Sequence, residues 1–263
     1  MSRIAQTFKA CKKEGRKALV SFITAGDPNY ETSLDVLKAL PQAGADIIEL
    51  GMPFADPGAD GPVIQLANQR ALKNGANMTQ TLQMVRDFRA DNQDTPIVLM
   101  GYYNPVLAYG LKRFTSDAKQ AGVDGFIIVD LPPEEDQELR SLCNKYGLDL
   151  VRLVTPTSDK ERLKILLDGV SGFLYYVSIT GVTGAAKPDL NAIKPHLDDI
   201  RALTNLPIAI GFGIKTPDDA AHMAQICDGV VVGSSIVQTL SKAQENKAGE
   251  EVAALVRSLK NAL

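Results

Sequence analysis

The 263-residue chain is 45% hydrophobic and 22% charged, with 28 basic against 31 acidic side chains and a formal charge of −3. This is a globular composition, long enough for a large core, and it excludes a nucleic-acid or anionic-membrane binder built on basic charge. Cys11, Cys143 and Cys227 are scattered and form no CxxC pair, no apolar run is long enough to span a membrane, and the N-terminus lacks a signal-peptide core, so a cytoplasmic protein with free thiols is expected.

Residues 2–14 are basic and weakly amphipathic, with Ile4, Phe8 and Cys11 apolar, and predict a short helix that caps one end of the fold. Residues 18–26 (ALVSFITAG) read as a strand that stops at Gly26-Asp27-Pro28. Residues 33–43 carry Leu34, Leu37 and Leu40 at helical spacing. Residues 46–51 are a second strand, in which Ile47-Ile48 leads into Glu49 and delivers a carboxylate to the strand's C-terminal end. The loop 52–61 is dense in Pro, Gly and Asp and carries Asp56 and Asp60. Both acids fit ordinary turn chemistry, and Asp60 also fits a second acid converging with Glu49 on a substrate.

Helices are predicted over 63–73 and 79–89, with Asn74-Gly75 as the break between them. A third strand covers 96–102 (PIVLMGY), followed by Asn104-Pro105 and one helical segment to Gln120. The fourth strand, 125–130 (GFIIVD), is broken off by Pro132-Pro133, and 134–146 sets Leu139, Leu142, Cys143 and Tyr146 on one helical face. The fifth strand, 148–155, stops at Pro156, and Ser158 with Glu161 predicts a capping box. The sixth, 172–178 (GFLYYVS), leads into the long loop ITGVTGAAKPD and a helix over 190–203. The seventh, 207–213 (PIAIGFG), precedes a helix start with Thr216 as N-cap and Pro217 at N1. The eighth, 229–233 (GVVVG), is followed by a closing helix with Val252, Leu255, Val256 and Leu259 on one face.

Eight continuous apolar strands alternating with helices predict a parallel sheet buried on both faces. In this length they define the α/β class and a single (β/α)8 TIM-barrel domain over 1–263, with an extra N-terminal helix. Function then belongs to the C-terminal strand ends and the loops after them.

That rule ranks the chemistry. No strand ends in a lysine suited to Schiff-base work, since Lys187 and Lys215 fall in loops or at helix starts. The two histidines, His196 and His222, lie in helical segments and read as surface or helix–helix residues, so no metal site is expected. Carboxylates, hydroxyls and glycines remain: Glu49, Asp60, Asp130, Thr155, Tyr175, Ser178 and Thr183. GFGIKTP after strand seven and GSSIV after strand eight fit a phosphate site of backbone N–H groups and a helix N-terminus, with Gly213, Gly233, Ser234 and Ser235 as candidates and Gly181 and Gly184 adding donors. The same glycines also fit tight turns.

IELGMPFADPGADGPVIQ, VSITGVTG, GFGIKTP and VVGSSIV, in this order and spread over the whole chain, resemble the tryptophan synthase α-subunit family, and SFITAGDP, MGYYNP and VDLPPEE fit the same pattern. The resemblance implies a lyase that reversibly cleaves indole-3-glycerol phosphate to indole and glyceraldehyde 3-phosphate in tryptophan biosynthesis, with no cofactor in this subunit. It implies Glu49 as general acid and then base, Asp60 as the ionised partner of the indole N–H, Thr183 holding Asp60, and Tyr175 beside Glu49. Phe22, Met100, Ile127, Val129, Leu153 and Phe212 are candidates for the indole slot, although each also suits a barrel core. The family passes indole to a β subunit that carries pyridoxal phosphate, in an α2β2 heterotetramer. Pro53, Asp56, Tyr102, Asn104 and Pro105 lie on loops suited to that interface. The loops 52–61 and 179–189 are expected to close over substrate. Gly58, Ile179 and Thr180 depart from the family pattern in those two loops. A stand-alone lyase, or a barrel acting on another sugar phosphate, is the alternative.

Overall fold

Side chains alternate across each strand, and in a closed barrel this sends every second one to the axis and the rest to the surrounding helices. The computed structural model describes residues 1–178, 189–211 and 213–263. Eight strands, β1 (Ala18–Thr24), β2 (Ile47–Gly51), β3 (Ile97–Gly101), β4 (Gly125–Ile128), β5 (Asp149–Val154), β6 (Leu174–Val177), β7 (Ile208–Gly211) and β8 (Gly229–Val232), form a closed parallel barrel in sequence order. β8 pairs back onto β1 through Ala18 opposite Gly229. The helices are α1 (Arg3–Lys13), α2 (Tyr30–Ala43), α3 (Pro62–Lys73), α4 (Met78–Arg89), α5 (Tyr103–Tyr109), α6 (Leu111–Ala121), α7 (Gln137–Tyr146), α8 (Lys160–Leu167), α9 (Leu190–Leu203), α10 (Pro217–Ala224), α11 (Ser234–Lys242) and α12 (Ala248–Lys260).

Two apolar layers result. Val20, Ile47, Val98, Ile127, Val151, Tyr175, Ala209 and Val231 fill the barrel interior. Ile48, Leu50, Leu99, Phe126, Ile128, Leu174, Ile210 and Val230 face the helices. The predicted N-terminal helix is α1. Ser2 caps it by accepting from the Ala5 N–H at 3.3 Å. Its apolar side chains Ile4, Phe8 and Cys11 join the interior cluster, with the Phe8 and Phe173 rings 5.6 Å apart. Phe8 also packs beside Gly229, the first residue of β8, so α1 closes the N-terminal mouth and leaves the C-terminal mouth for the site.

Three local expectations are corrected. The single segment predicted after Asn104 is two helices, because Gly110 takes φ +94° and turns the chain between α5 and α6. Asp159, not Ser158, caps α8. Its carboxylate accepts from Arg162 N at 2.8 Å, while the Ser158 hydroxyl turns back to Thr155 N at 3.3 Å. Residues 134–136 precede α7 rather than open it. The Thr216 and Pro217 start of α10 is as predicted, with a complete capping box to Asp219.

Two buried aspartates that hold arginines help fix the frame. Asp27, wholly buried, takes both arms of Arg70 at 2.7 and 2.8 Å and ties α3 to the end of β1. Asp124 receives Arg89 and Arg3, each at 2.8 Å, and the Ile97 N–H at 2.9 Å, joining α4 and α1 to the start of β3. Removing one partner of a buried pair strands the other charge. Asp124→Ala should therefore cost about 3–5 kcal/mol in urea unfolding. Lys38→Ala, which breaks the exposed pair with Asp91, should cost less than about 1 kcal/mol. Equal losses for the two variants would show that the buried pair is dispensable.

Candidate active site

β2 runs between β1 and β3 with Glu49 opposite Phe22 on one side and Val98 on the other. Period-two alternation that buries Ile47 inside the barrel brings Glu49 to the same side, one layer nearer the C-terminal mouth. Only 1% of Glu49 is exposed, and its Oε1 has no hydrogen-bond partner. Burial alone pushes its carboxyl up to about 8, so the acid is protonated at neutral pH. Gly51 makes room for Phe22, whose ring a Cβ there would meet at 2.7 Å. Tyr175 from β6 is also buried, packed over Gly211 where any Cβ would collide with the phenol. Burial, then the nearby charges of Glu49 and Asp60, hold that phenol well above its usual range.

Asp60 reaches the same cleft from the loop after β2 and is held by side chains of neighbouring elements. The Asn68 amide on α3 donates to its Oδ2 at 3.4 Å, and the Tyr102 hydroxyl bonds to its carboxylate. Gln65 Nε2 donates to the Asp60 carbonyl at 2.8 Å. Tyr102 also accepts the Ala59 N–H at 3.0 Å and stacks obliquely on Phe54, ring centroids 5.5 Å apart. The Phe54 N–H in turn donates to Asn68 Oδ1 at 3.1 Å. Burial raises Asp60 to about 6, with the bonds from Tyr102 and Asn68 pulling the other way. The two acids thus differ: one neutral and unpartnered, the other largely ionised and hydrogen-bonded.

A cleft enclosing about 730 Å³, part of it open to solvent, joins them. Phe22, Met100, Ile64, Val231 and Tyr175 form its apolar wall, with Glu49 and Asp60 at one side. Gly213, Ile214 and Lys215 after β7, and Gly233 and Ser234 after β8, line it as well. Gly213 sits at φ +80°, and α11 begins at Gly233 with no side chain capping its free N–H groups. Within its first turn, the buried Ser235 hydroxyl has no partner. An uncapped helix start with an unused hydroxyl is suited to an anion.

Of the proposed indole residues, Phe22 and Met100 line the cleft, and Val129 borders an adjoining recess with Asp60, Asn68 and Tyr102. Ile127 and Leu153 do not line it: Ile127 is fully buried beside Met100 in the strand register, and Leu153 packs on the same interior cluster. Thr183, Gly184, Phe212, Ile179, Thr180, Gly181 and Lys187 lie outside the described residues. Asp56 and Asn104 are exposed on the rim, with Pro53 and Pro105 half-buried. Tyr102, expected at a partner interface, is instead 6% exposed and turned under the loop toward Asp60. Asp130 caps the turn at Tyr103 by accepting its N–H at 2.7 Å, and Ser178 donates to the Gly211 carbonyl at 2.8 Å. His196 bridges Tyr176 and the Ser158 carbonyl between helix and barrel, away from the cleft. Among the described residues no group of three or more His, Cys, Asp or Glu side chains could hold a metal.

Sequence reasoning missed Ile64, Asn68, Lys215 and the inward role of Tyr102. The strand-end rule that singled out Tyr175 applies equally to Tyr102, one residue beyond β3. Asn68 and Ile64 gave no comparable signal, because only the docking of α3 brings them to the mouth.

The fold and cleft together define an enzyme of the (β/α)8-barrel class, with two carboxyl groups and an uncapped helix start lining one cleft. The family model described as tryptophan synthase alpha chain matches residues 8–263. A tryptophan synthase subunit alpha from Legionella pneumophila is 40% identical with a TM-score of 0.91, covering 100% of this chain and 98% of that one. A structure from Aquifex aeolicus is 39% identical with a TM-score of 0.90, over 100% and 99% of the two chains. An aminoacrylate-bound tryptophan synthase from M. tuberculosis is 33% identical with a TM-score of 0.89, over 100% and 99%. The chain belongs to the tryptophan synthase alpha chain family.

Two outcomes follow from the geometry. Tyr102→Phe removes one bond that favours ionised Asp60, so the acid limb of the pH–rate profile should move upward by about half a unit to one unit. An unmoved limb would assign Tyr102 to loop packing alone. Glu49 carries a folded-state pKa above its unfolded value, so its contribution to stability is present below about pH 4.5 and is lost as pH rises toward about 8. Glu49→Gln should then be more stable than the parent at pH 8, by a margin on the order of a few kcal/mol that shrinks at pH 5, as read by urea titration.

Proposed function

We propose that Glu49 and Asp60 carry out the family's reaction, the reversible cleavage of indole-3-glycerol phosphate to indole and glyceraldehyde 3-phosphate, in this chain's cleft. The observation that carries this reading is the pairing of a neutral, buried acid with an ionised one across an apolar slot that ends in helix-start N–H groups. Indole is a poor leaving group until its C3 is protonated. Glu49, protonated at neutral pH, delivers that proton. The ring nitrogen then carries positive charge, which the Asp60 carboxylate stabilises through the N–H. Glu49, now anionic in a dry site, takes the proton from the glycerol hydroxyl on the carbon bonded to C3. The carbonyl forms, the carbon–carbon bond breaks, and its electron pair returns to the ring. Glu49 ends protonated, as it began, and indole keeps the proton at C3. Phe22, Met100 and Ile64 offer the ring an apolar wall, and Gly213, Gly233, Ser234 and Ser235 offer donors to the phosphate.

The chain works as the alpha subunit of tryptophan synthase in tryptophan biosynthesis. We place the β-subunit contact on the rim formed by the loops after β2 and β3, with Pro53, Asp56, Asn104 and Pro105. Leu107, 49% exposed on α5 one turn beyond Asn104, supports that placement. Pyridoxal phosphate belongs to the β subunit in this reading, and this subunit works without a cofactor. Buried, unpaired Cys11, Cys143 and Cys227 suit the cytoplasm, and no described helix is long and apolar enough to cross a membrane.

Indole release from indole-3-glycerol phosphate, measured with and without a β subunit, tests the assignment. We expect slow turnover by the free chain and faster turnover in the complex. Glu49→Gln should cut kcat by about a thousandfold or more, and the phosphorylated ligand should still bind. The profile of kcat/KM should be bell-shaped, falling below about 6 as Asp60 protonates and above about 8 as Glu49 ionises. Full activity in Glu49→Gln would overturn the roles of both acids.

A further inference from the structure

We propose that Lys215 supplies the formal positive charge that recognises the substrate's phosphate and so sets the preference for phosphorylated over unphosphorylated indole-glycerol compounds. The inference rests on the reaction assigned above.

A phosphate monoester brings close to two negative charges at neutral pH. It enters a cleft whose other wall holds two carboxyl groups, one of them ionised. The N–H groups at Gly213, Gly233 and Ser234 offer only the partial charge of a loop and a helix start, roughly half a unit for the helix. They fit the geometry of the oxygens but leave most of the charge unbalanced. Lys215 is the one basic side chain among the described residues that line the cleft, and it lies on the anion-binding side with Gly213, Ile214, Gly233 and Ser234.

Its backbone is fixed on both sides. Ile214, only 5% exposed, anchors the preceding residue. The N–H groups of Lys215 and Thr216 both donate to Asp219 Oδ2, at 3.2 and 3.0 Å, within the capping box of α10. The ammonium itself makes no ion pair with any described carboxylate and is not committed elsewhere, unlike those of Lys38, Lys160, Lys164, Lys194 and Lys260. An anchored stem with a free, compact charge at the mouth of an anion site is placed to meet a mobile dianion. Because the group is exposed to water, its pull is screened by salt and acts chiefly on binding rather than on the chemistry at C3.

The test uses the full chain in complex with a β subunit. Indole release is followed for the parent, Lys215→Ala, Lys215→Arg and Lys215→Glu, at low and high ionic strength, with unphosphorylated indole-glycerol as a second substrate. Binding of inorganic phosphate is measured in parallel by calorimetry. Lys215→Ala should raise KM for the phosphorylated substrate about tenfold at low salt, with a far smaller effect on kcat, and should narrow the preference for it by a similar factor. Lys215→Arg should recover most of the loss, and Lys215→Glu should exceed it. The salt dependence of KM in the parent should largely vanish in Lys215→Ala. KM and phosphate affinity within about twofold of the parent in both Lys215→Ala and Lys215→Glu would overturn the proposal, as would a loss confined to kcat. A parent protein that fails to release indole would refute the assigned reaction instead, and the phosphate-binding series would still decide the role of Lys215.

Discussion

One desolvated carboxyl group sets the character of this cleft. Glu49 sits where a strand interior would normally place an aliphatic residue, inside a sheet cylinder whose interior cluster is apolar and aromatic. A carboxylate there would be expensive, so the group stays protonated, and its Oε1 lacks a partner that could lower that cost. The same isolation suits it to the donor and base roles proposed above. The barrel makes this tolerable because strand pairing on both sides of β2 holds Glu49 in place regardless of its protonation state.

Asp60 shows the opposite arrangement. It lies on a loop rather than a strand, yet a strand-end tyrosine and a helix asparagine fix its carboxylate. The loop is in effect laced to its neighbours by Phe54, Ala59 and Gln65. The two acids differ in proton affinity because one is surrounded by hydrocarbon and the other by donors, not because aspartate and glutamate differ. Across the cleft the polarity reverses, from carboxyls to N–H groups and an ammonium, so a bipolar ligand has one favoured orientation.

Most of this architecture is legible in the chain. All eight strands fall where continuous apolar runs ended by Gly or Pro place them, because a parallel barrel strand is buried on both faces and tolerates no polar alternation. Glu49 stands out for the same reason, as a charge interrupting an apolar run. What escapes detection depends on tertiary docking. Ile64 and Asn68 look like any amphipathic helix until α3 is seen to pack over the cleft. Tyr102 looks like a loop aromatic until its hydroxyl is found under Ala59. Ile127 faces the axis from the expected strand but is packed over completely, so that it adds to the core and not to the cleft wall. Ser158 does not cap α8 because Asp159, one residue on, competes for the same N–H groups.

The plug formed by α1 carries a consequence for traffic. With Ile4, Phe8 and Cys11 packed into the lower end and bulky side chains filling the axis above them, the barrel is a cup rather than a tube. Whatever enters from solvent and whatever departs must share a single doorway at the rim, the face that carries Asp56, Asn104 and the loop of Asp60. Retaining a small neutral product such as indole, keeping out water and handing that product to a neighbour are therefore one problem with one solution: whichever surface seals the rim controls all three.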